Sequence, residues 1–175
     1  MANNVQRTGI AALVLSAAGL VHIATREGYV AVAMVPVPGD VPTIGFGTTQ
    51  GVKLGDKITP PKALERSLSD IAKYEGAVKQ CVTAPLYQRE YDAYISLAYN
   101  IGPVRFCAST IPAKLAAGQY QAACETILDF DGFRDRTKPM VKNPKTGRME
   151  FPLIRLRGLT TRRQSEYRMC LGPQA

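Results

Sequence analysis

Between Gly9 and Thr25 the chain runs for seventeen residues without a formal charge, GIAALVLSAAGLVHIAT, and its first acidic residue, Glu27, follows almost at once. Any fold must either bury this stretch or leave it to a membrane. As one helix it would span roughly 25 Å at 1.5 Å per residue, short of a hydrocarbon core of about 30 Å. Only seven of its residues are strongly apolar: Ile10, Leu13, Val14, Leu15, Leu20, Val21 and Ile23. Three readings compete. The segment is a core helix, a signal peptide cleaved near Ser16-Ala17-Ala18, or an uncleaved and marginal membrane anchor. The last is preferred. Arg7 precedes the segment, so positive-inside bias keeps the N-terminus cytoplasmic and exports everything after Thr25. The division expected is an anchor over 1–26 and a soluble domain over 27–175. Because the anchor is short and rich in Ala and Gly, it should leave the bilayer at modest cost, giving a tethered and a released state.

Charge is uneven. The chain carries +8, and from Asp131 to Ala175 eleven Lys/Arg face four Asp/Glu, a local excess of +7. A basic C-terminal third points to an anionic partner such as nucleic acid, lipid headgroups or an acidic envelope polymer. The cysteines Cys81, Cys107, Cys124 and Cys170 form no CxxC pair, and the only histidine, His22, lies far upstream. A zinc site is therefore rejected, and no metal or cofactor is expected. An even count in an exported chain suggests two disulfides. Three connectivities are possible, and Cys81–Cys107 with Cys124–Cys170 is the one guessed.

Turn residues Pro36, Pro38, Gly39, Asp40 and Pro42, then Thr43-Ile44-Gly45-Phe46-Gly47, mark a small β-hairpin lobe over Tyr29–Asp56. Helices dominate beyond it. One starts after Thr59 as N-cap with Pro60 and Pro61. The apolar-dense Tyr87–Ile101 reads as the central buried helix, stopped by Gly102-Pro103. Ile111–Ala117 and Tyr120–Phe130 follow. Asp131–Pro152 shows no periodicity and reads as a basic surface loop. Thr160 or Thr161 is expected to cap a last helix over Arg162–Leu171. The fold class is α+β, mostly α.

A glycosidase needs a carboxylic acid at the glycosidic oxygen and a second group on the opposite face. Glu27 before Gly28, with Thr43 returning on the hairpin, suits that requirement only weakly in isolation. The motifs add to it. Glu27-Gly28 with Pro42-Thr43-Ile44-Gly45-Phe46-Gly47-Thr48 resembles the active-site signature of phage-type lysozymes, glycoside hydrolase family 24. Ser96-Leu97-Ala98-Tyr99-Asn100-Ile101-Gly102 resembles the end of the family's central helix. Ser109-Thr110, Lys114-Leu115, Ala117-Gly118 and Ala122-Ala123-Cys124 resemble the next block, and Arg157-Gly158-Leu159 with Arg162-Arg163 and Glu166 the final helix. With the preceding anchor, the chain looks like a signal-arrest-release endolysin.

The resemblance implies a lysozyme-like fold and a muramidase cutting the β-1,4 bond between N-acetylmuramic acid and N-acetylglucosamine. Glu27 maps onto the general acid and Thr43 onto the residue that helps hold water. Arg163, with Arg162 close behind, maps onto an arginine that pairs with the catalytic glutamate. The positions where the family places an aspartate hold Pro36 and Val37 here, so either Asp40 takes that role or it is vacant. A vacant role would favour lytic transglycosylase chemistry, in which the muramic 6-hydroxyl attacks. A third possibility is a tethered wall-binding protein with no activity. The expected partners are peptidoglycan and, through residues 9–25, the host inner membrane, followed by release to the periplasm. Nucleic acid is not expected, and the chain is read as a monomer. With Glu27 two residues past Thr25, tethering would hold it away from Thr43 and the last helix.

Overall fold

The computed structural model describes residues 6–36, 39–144 and 147–173, so Val37, Pro38, Lys145 and Thr146 lie outside the described residues. The core is organised around one helix. Helix α3 (Gln88–Ile101) buries every residue from Glu90 to Ala98. It starts where the Glu90 carboxylate accepts the Tyr87 N–H at 2.8 Å, a reach-back that satisfies an orphan helix donor. It ends at Gly102, whose φ of 86° no side-chain-bearing residue adopts readily. Packed on α3 are α2 (Pro60–Cys81), α4 (Pro103–Cys107) and the terminal helix α7 (Arg157–Leu171). α2 presents Ala63, Ser67, Ile71 and Val78 along one buried face. α5 (Ile111–Ala116), α6 (Tyr120–Thr126) and a 3-10 turn over Ile127–Phe130 complete the body.

Three polar residues of α3 lie inside this core, and each has a partner from elsewhere in the chain. Glu90 takes both Nε and Nη2 of Arg7 at 3.1 and 2.8 Å. Asp92 takes the backbone N–H and hydroxyl of Ser16 at 3.0 and 2.5 Å. Ser96 donates to Glu166 of α7 at 2.7 Å. Two of the three thus bind the N-terminal segment.

The expectation of one continuous apolar helix preceding the domain is corrected here. Ile10–Ala12 form a single 3-10 turn, and only Ala17–Glu27 are α-helical, as α1. The break has a local cause. The N–H groups of Leu15 and Ser16 are captured by Glu75 (2.7 Å) and Asp92, not by carbonyls one turn back. The Ser16 hydroxyl then accepts the Gly19 N–H at 3.0 Å and caps α1. Ile10, Leu13 and Ile23 enter the core. Gly19 lies so close to Asp92 that a Cβ there would stand 2.9 Å from its Cγ. No described helix is long and apolar enough to cross a membrane.

The hairpin of β1 (Val30–Met34) and β2 (Thr43–Gly45) pairs Val30 with Gly45 and Met34 with Thr43, with irregular register between. It buries Ala33, Ile44 and Val52 in a small second core. Gly45 (φ 65°) comes so near α2 that a Cβ would lie 2.9 Å from that of Ala63. Asp131–Pro152 is not a loop. β3 (Gly132–Arg134) pairs with β6 (Leu153–Arg155), and β4 (Val141–Lys142) with β5 (Met149–Glu150), as two antiparallel ribbons. Apart from buried Gly132 their strand residues are exposed or half-buried, so no alternating pattern marks them in the sequence. α7 also begins earlier than expected. The hydroxyls of Thr160 and Thr161 bond the carbonyls of Leu156 and Arg157 inside its first turns and do not cap it.

Two disulfides join Cys81 to Cys107 and Cys124 to Cys170, tying α2 to α4 and α6 to α7. They close loops of 26 and 46 residues, for which restriction of the unfolded chain is worth about 3 to 4 kcal/mol each. Replacing each pair with serine in turn should lower denaturant stability by that amount, more for Cys124/Cys170 than for Cys81/Cys107.

Candidate active site

Glu27 is the last residue of α1. Gly28, at φ 70°, turns the chain into β1 and returns its N–H to Ala24 O at 3.1 Å. The Glu27 side chain, 21% exposed, enters a cleft of about 290 Å³ between the hairpin lobe and the helical body. Its Oε1 accepts Arg162 Nη1 at 2.8 Å. Arg162, 8% exposed, also donates from Nε to Glu166 at 3.2 Å. Glu166 is fully buried and takes Arg163 Nη1 at 2.5 Å on its other oxygen. Arg163 then donates to Asn100, which lines the same cleft as Glu27. Two arginines and two glutamates form a charge-balanced chain running from one cleft-lining residue back to another. Burial holds the Arg163 guanidinium below the ordinary arginine range, and Glu166 opposes that shift.

Among the described residues Glu27 Oε2 has no such partner. It faces Gly47 (φ 90°), where a Cβ would stand 3.6 Å from Oε2 and 3.5 Å from Tyr99 Oη. A glycine there keeps space open at the carboxylate. Tyr99 donates to Phe46 O at 3.0 Å, and burial, then the charge of Glu27, pushes its pKa well up, so the phenol stays protonated.

Asp70 on α2 is a second carboxylate of the cleft wall, and it was not anticipated. Its Oδ2 accepts Thr48 Oγ1 at 2.8 Å and its Oδ1 accepts Lys73 at 3.2 Å. Only the tertiary approach of hairpin to helix brings these groups together, so no sequence spacing announces it. Asp40 and Thr43 are not part of the cleft lining. Exposed Asp40 caps its own turn by accepting the Val41 N–H at 2.8 Å, and the Thr43 hydroxyl donates to Val41 O at 3.3 Å. The preference for Arg163 as the partner of Glu27 is also corrected, because Arg162 makes that contact. Adjacent helical residues point about 100° apart, and Arg163 is turned inward to Glu166 and Asn100. Among the described residues no group of three or more His, Cys, Asp or Glu is placed to hold a metal ion.

A half-buried glutamate in a polar cleft between a hairpin lobe and a helical body defines a glycoside hydrolase of the lysozyme type. The chain belongs to the phage lysozyme family, whose model matches residues 24–166. It is 31% identical over 165 residues to the SAR-endolysin of Pseudomonas phage phiKMV, covering 94% of this chain and 91% of the relative. The muramidase domain of SpmX from Asticaccaulis excentricus superposes with a TM-score of 0.79 at 25% identity, covering 92% of this chain and 99% of that domain. The endolysin of Escherichia coli O157:H7 phage FAHEc1 does so with a TM-score of 0.76 at 29% identity, covering 91% and 94%.

His22 on α1 is half-buried, and its Nε2 has no hydrogen-bond partner among the described residues. Burial first, then Arg26 on its own helix and Arg162 from α7, holds the imidazole below its usual 6.5, with Asp92 of α3 opposing. Above that value both folded and unfolded states carry it neutral. Below it the unfolded chain takes up a proton that the folded one resists, so stability falls as pH drops. The melting temperature should decline below pH 6.5, and His22→Gln should shrink that decline.

Proposed function

We propose that the protein is an endolysin that hydrolyses the β-1,4 bond between N-acetylmuramic acid and N-acetylglucosamine in bacterial peptidoglycan, with Glu27 as general acid. The observation that carries this is Glu27 in the cleft, with Oε1 held by Arg162 and Oε2 open beside Gly47 and Tyr99. A fixed carboxyl with one oxygen free can present its proton along one direction, as protonation of a glycosidic oxygen requires. The muramidase domain and the phage endolysins of similar fold support the same chemistry. Polar groups of the lining, including Gln50 and Asn100, are placed to bind sugar. Thr43, by resemblance, remains the proposed water-holding residue. Asp40 is turned to its own backbone, so the second role falls in this proposal to Asp70 of the cleft lining, whose oxygens keep lone pairs for water beyond those taken by Thr48 and Lys73.

Residues 9–25 serve, in this proposal, as a membrane tether before release, with the N-terminus cytoplasmic and the remainder periplasmic. The relative named a SAR-endolysin, aligned over 94% of this chain, supports this. So does the uncharged segment itself, with Val14 and Val21 still exposed when it is docked. The docked conformation corresponds to the released enzyme. Extraction from the bilayer lets Ser16 meet Asp92 and Arg162 meet Glu27, and only then is the acid in place.

Glu27→Gln should abolish turbidity loss of isolated sacculi, by at least about a hundred-fold in rate, while binding to sacculi persists. Mass spectrometry of the wild-type digest should find reducing-end muramic acid. An exclusively 1,6-anhydro product would replace hydrolysis with transglycosylation. Ala11, Ala12, Ala17 and Ala18 are exposed in the docked state, so leucine at these positions strengthens the anchor without filling the docked interface. Gly19 is unsuitable because a side chain there collides with Asp92. The leucine variant should delay lysis in cells, and normal lysis timing with the protein still membrane-bound would contradict the release model.

A further inference from the structure

The two ribbons between Asp131 and Arg155 combine features that the cleft does not use. Phe133 and Ile154 are directly opposed across β3 and β6 and share one face, 51% and 40% exposed. Met140, Val141 and Met149 on the second ribbon are also about half exposed. Five large apolar side chains on so short a segment exceed the scattering of single apolar residues normal for a soluble surface. The same segment carries seven Lys/Arg against three Asp/Glu. Arg155 is paired with Asp131, and Arg134 with Glu150, which links the ribbons. Arg136, Lys138 and Lys142 are exposed and make no ion pair among the described residues. A furrow of about 500 Å³ between the ribbons brings Lys142 and Val141 beside Arg134, Arg155, Asp129 and Glu150.

We propose that this double ribbon is a docking surface for an anionic phospholipid leaflet, independent of both the N-terminal segment and the cleft. The apolar residues select lipid over the other anionic partners. A glycan or a phosphodiester backbone neutralises cations but offers nothing to bury Phe133, Ile154, Met140, Val141 and Met149. A membrane interface does both, taking the apolar tips below the headgroups while the basic side chains reach phosphates. Base attachment suits the role. Asp131 is buried and holds Arg155, the Thr160 hydroxyl and the Leu156 N–H, so the ribbon root is fixed to the start of α7. Leu156 also shares a recess with Arg26 and Arg162, which places the root beside the residue that holds Glu27. A released enzyme held this way would keep its cleft near the membrane-facing side of the wall.

The test is co-sedimentation of the full chain with vesicles of phosphatidylethanolamine and phosphatidylglycerol, with phosphatidylcholine vesicles and purified sacculi as parallel arms. Each basic side chain at an anionic surface is worth roughly five-fold in binding. Arg136→Gln with Lys138→Gln should therefore weaken binding to anionic vesicles roughly twenty-five-fold, and Phe133→Ser with Ile154→Ser should weaken it as strongly. Both variants keep the N-terminal segment intact, so a loss reports on the ribbon alone. Their melting temperatures check folding, and the charge variant stands by itself if the serine variant is unstable. Binding through residues 9–25 is common to wild type, variants and both lipids, so the readout is the excess of anionic over phosphatidylcholine binding, and an excess unchanged in the variants overturns the proposal. So does equal binding to phosphatidylcholine, or a loss confined to sacculi, which would make the ribbon a wall-binding element.

Discussion

One arginine decides the geometry of the cleft. Arg162 reaches from the buried face of α7 to the last residue of α1, joining residues 135 positions apart in sequence. It is itself held by Glu166, which is fully buried and takes hydrogen bonds from Ser96, Arg162 and Arg163. Removing one partner from such a set leaves a charge with no counterion in a low-dielectric interior, and several kcal/mol are then lost. The set therefore behaves as a unit. It fixes which side of Glu27 faces protein and which faces the cleft, and it makes the C-terminal helix and the N-terminal segment depend on each other.

Under the proposed tether-and-release scheme, the N-terminal segment meets two demands that pull apart. To lie in a bilayer it must be uncharged and without fixed polar contacts. To complete the enzyme it must adopt one docked conformation. The structure reconciles them by placing the polar groups on the receiver. Glu75, Glu90 and Asp92 sit on α2 and α3 and accept from Leu15, Arg7 and Ser16. Within the apolar stretch the segment contributes Ser16, backbone N–H groups and the Val14 carbonyl, which accepts Gln88 Nε2 at 2.8 Å, with Arg7 outside it. An undocked segment leaves Glu90 and Asp92, both nearly fully buried in the docked state, without these partners. That deficit favours the docked state over any undocked one, including the proposed membrane-tethered one.

Much of this was legible in the sequence, unevenly. The central helix was plain because its apolar density and its Gly102-Pro103 stop are local signals. Glu27 and the hairpin glycines became readable only through the resemblance of their motif to the phage-type lysozyme signature. What escaped depends on contacts between distant residues. The 3-10 break at Ile10–Ala12 follows from Asp92 and Glu75 capturing two amides, which no local propensity encodes. Asp70 enters the cleft only because the hairpin leans on α2. The choice of Arg162 over Arg163 turns on helix rotation by one residue. The ribbons were invisible because two- and three-residue strands that bury only Gly132 have no alternation to betray them.

The central claim is that docking of the N-terminal segment delivers the proton donor. Asp92→Ala removes the acceptor for both the Ser16 amide and its hydroxyl without touching the cleft lining. Amide hydrogen exchange over residues 15–28, measured alongside the rate of sacculus digestion by the same purified sample, tests the claim most directly. Faster exchange together with a proportional fall in rate is the predicted result. Faster exchange with the rate undiminished would show that Glu27 reaches the sugar without the docked segment, contradicting the account.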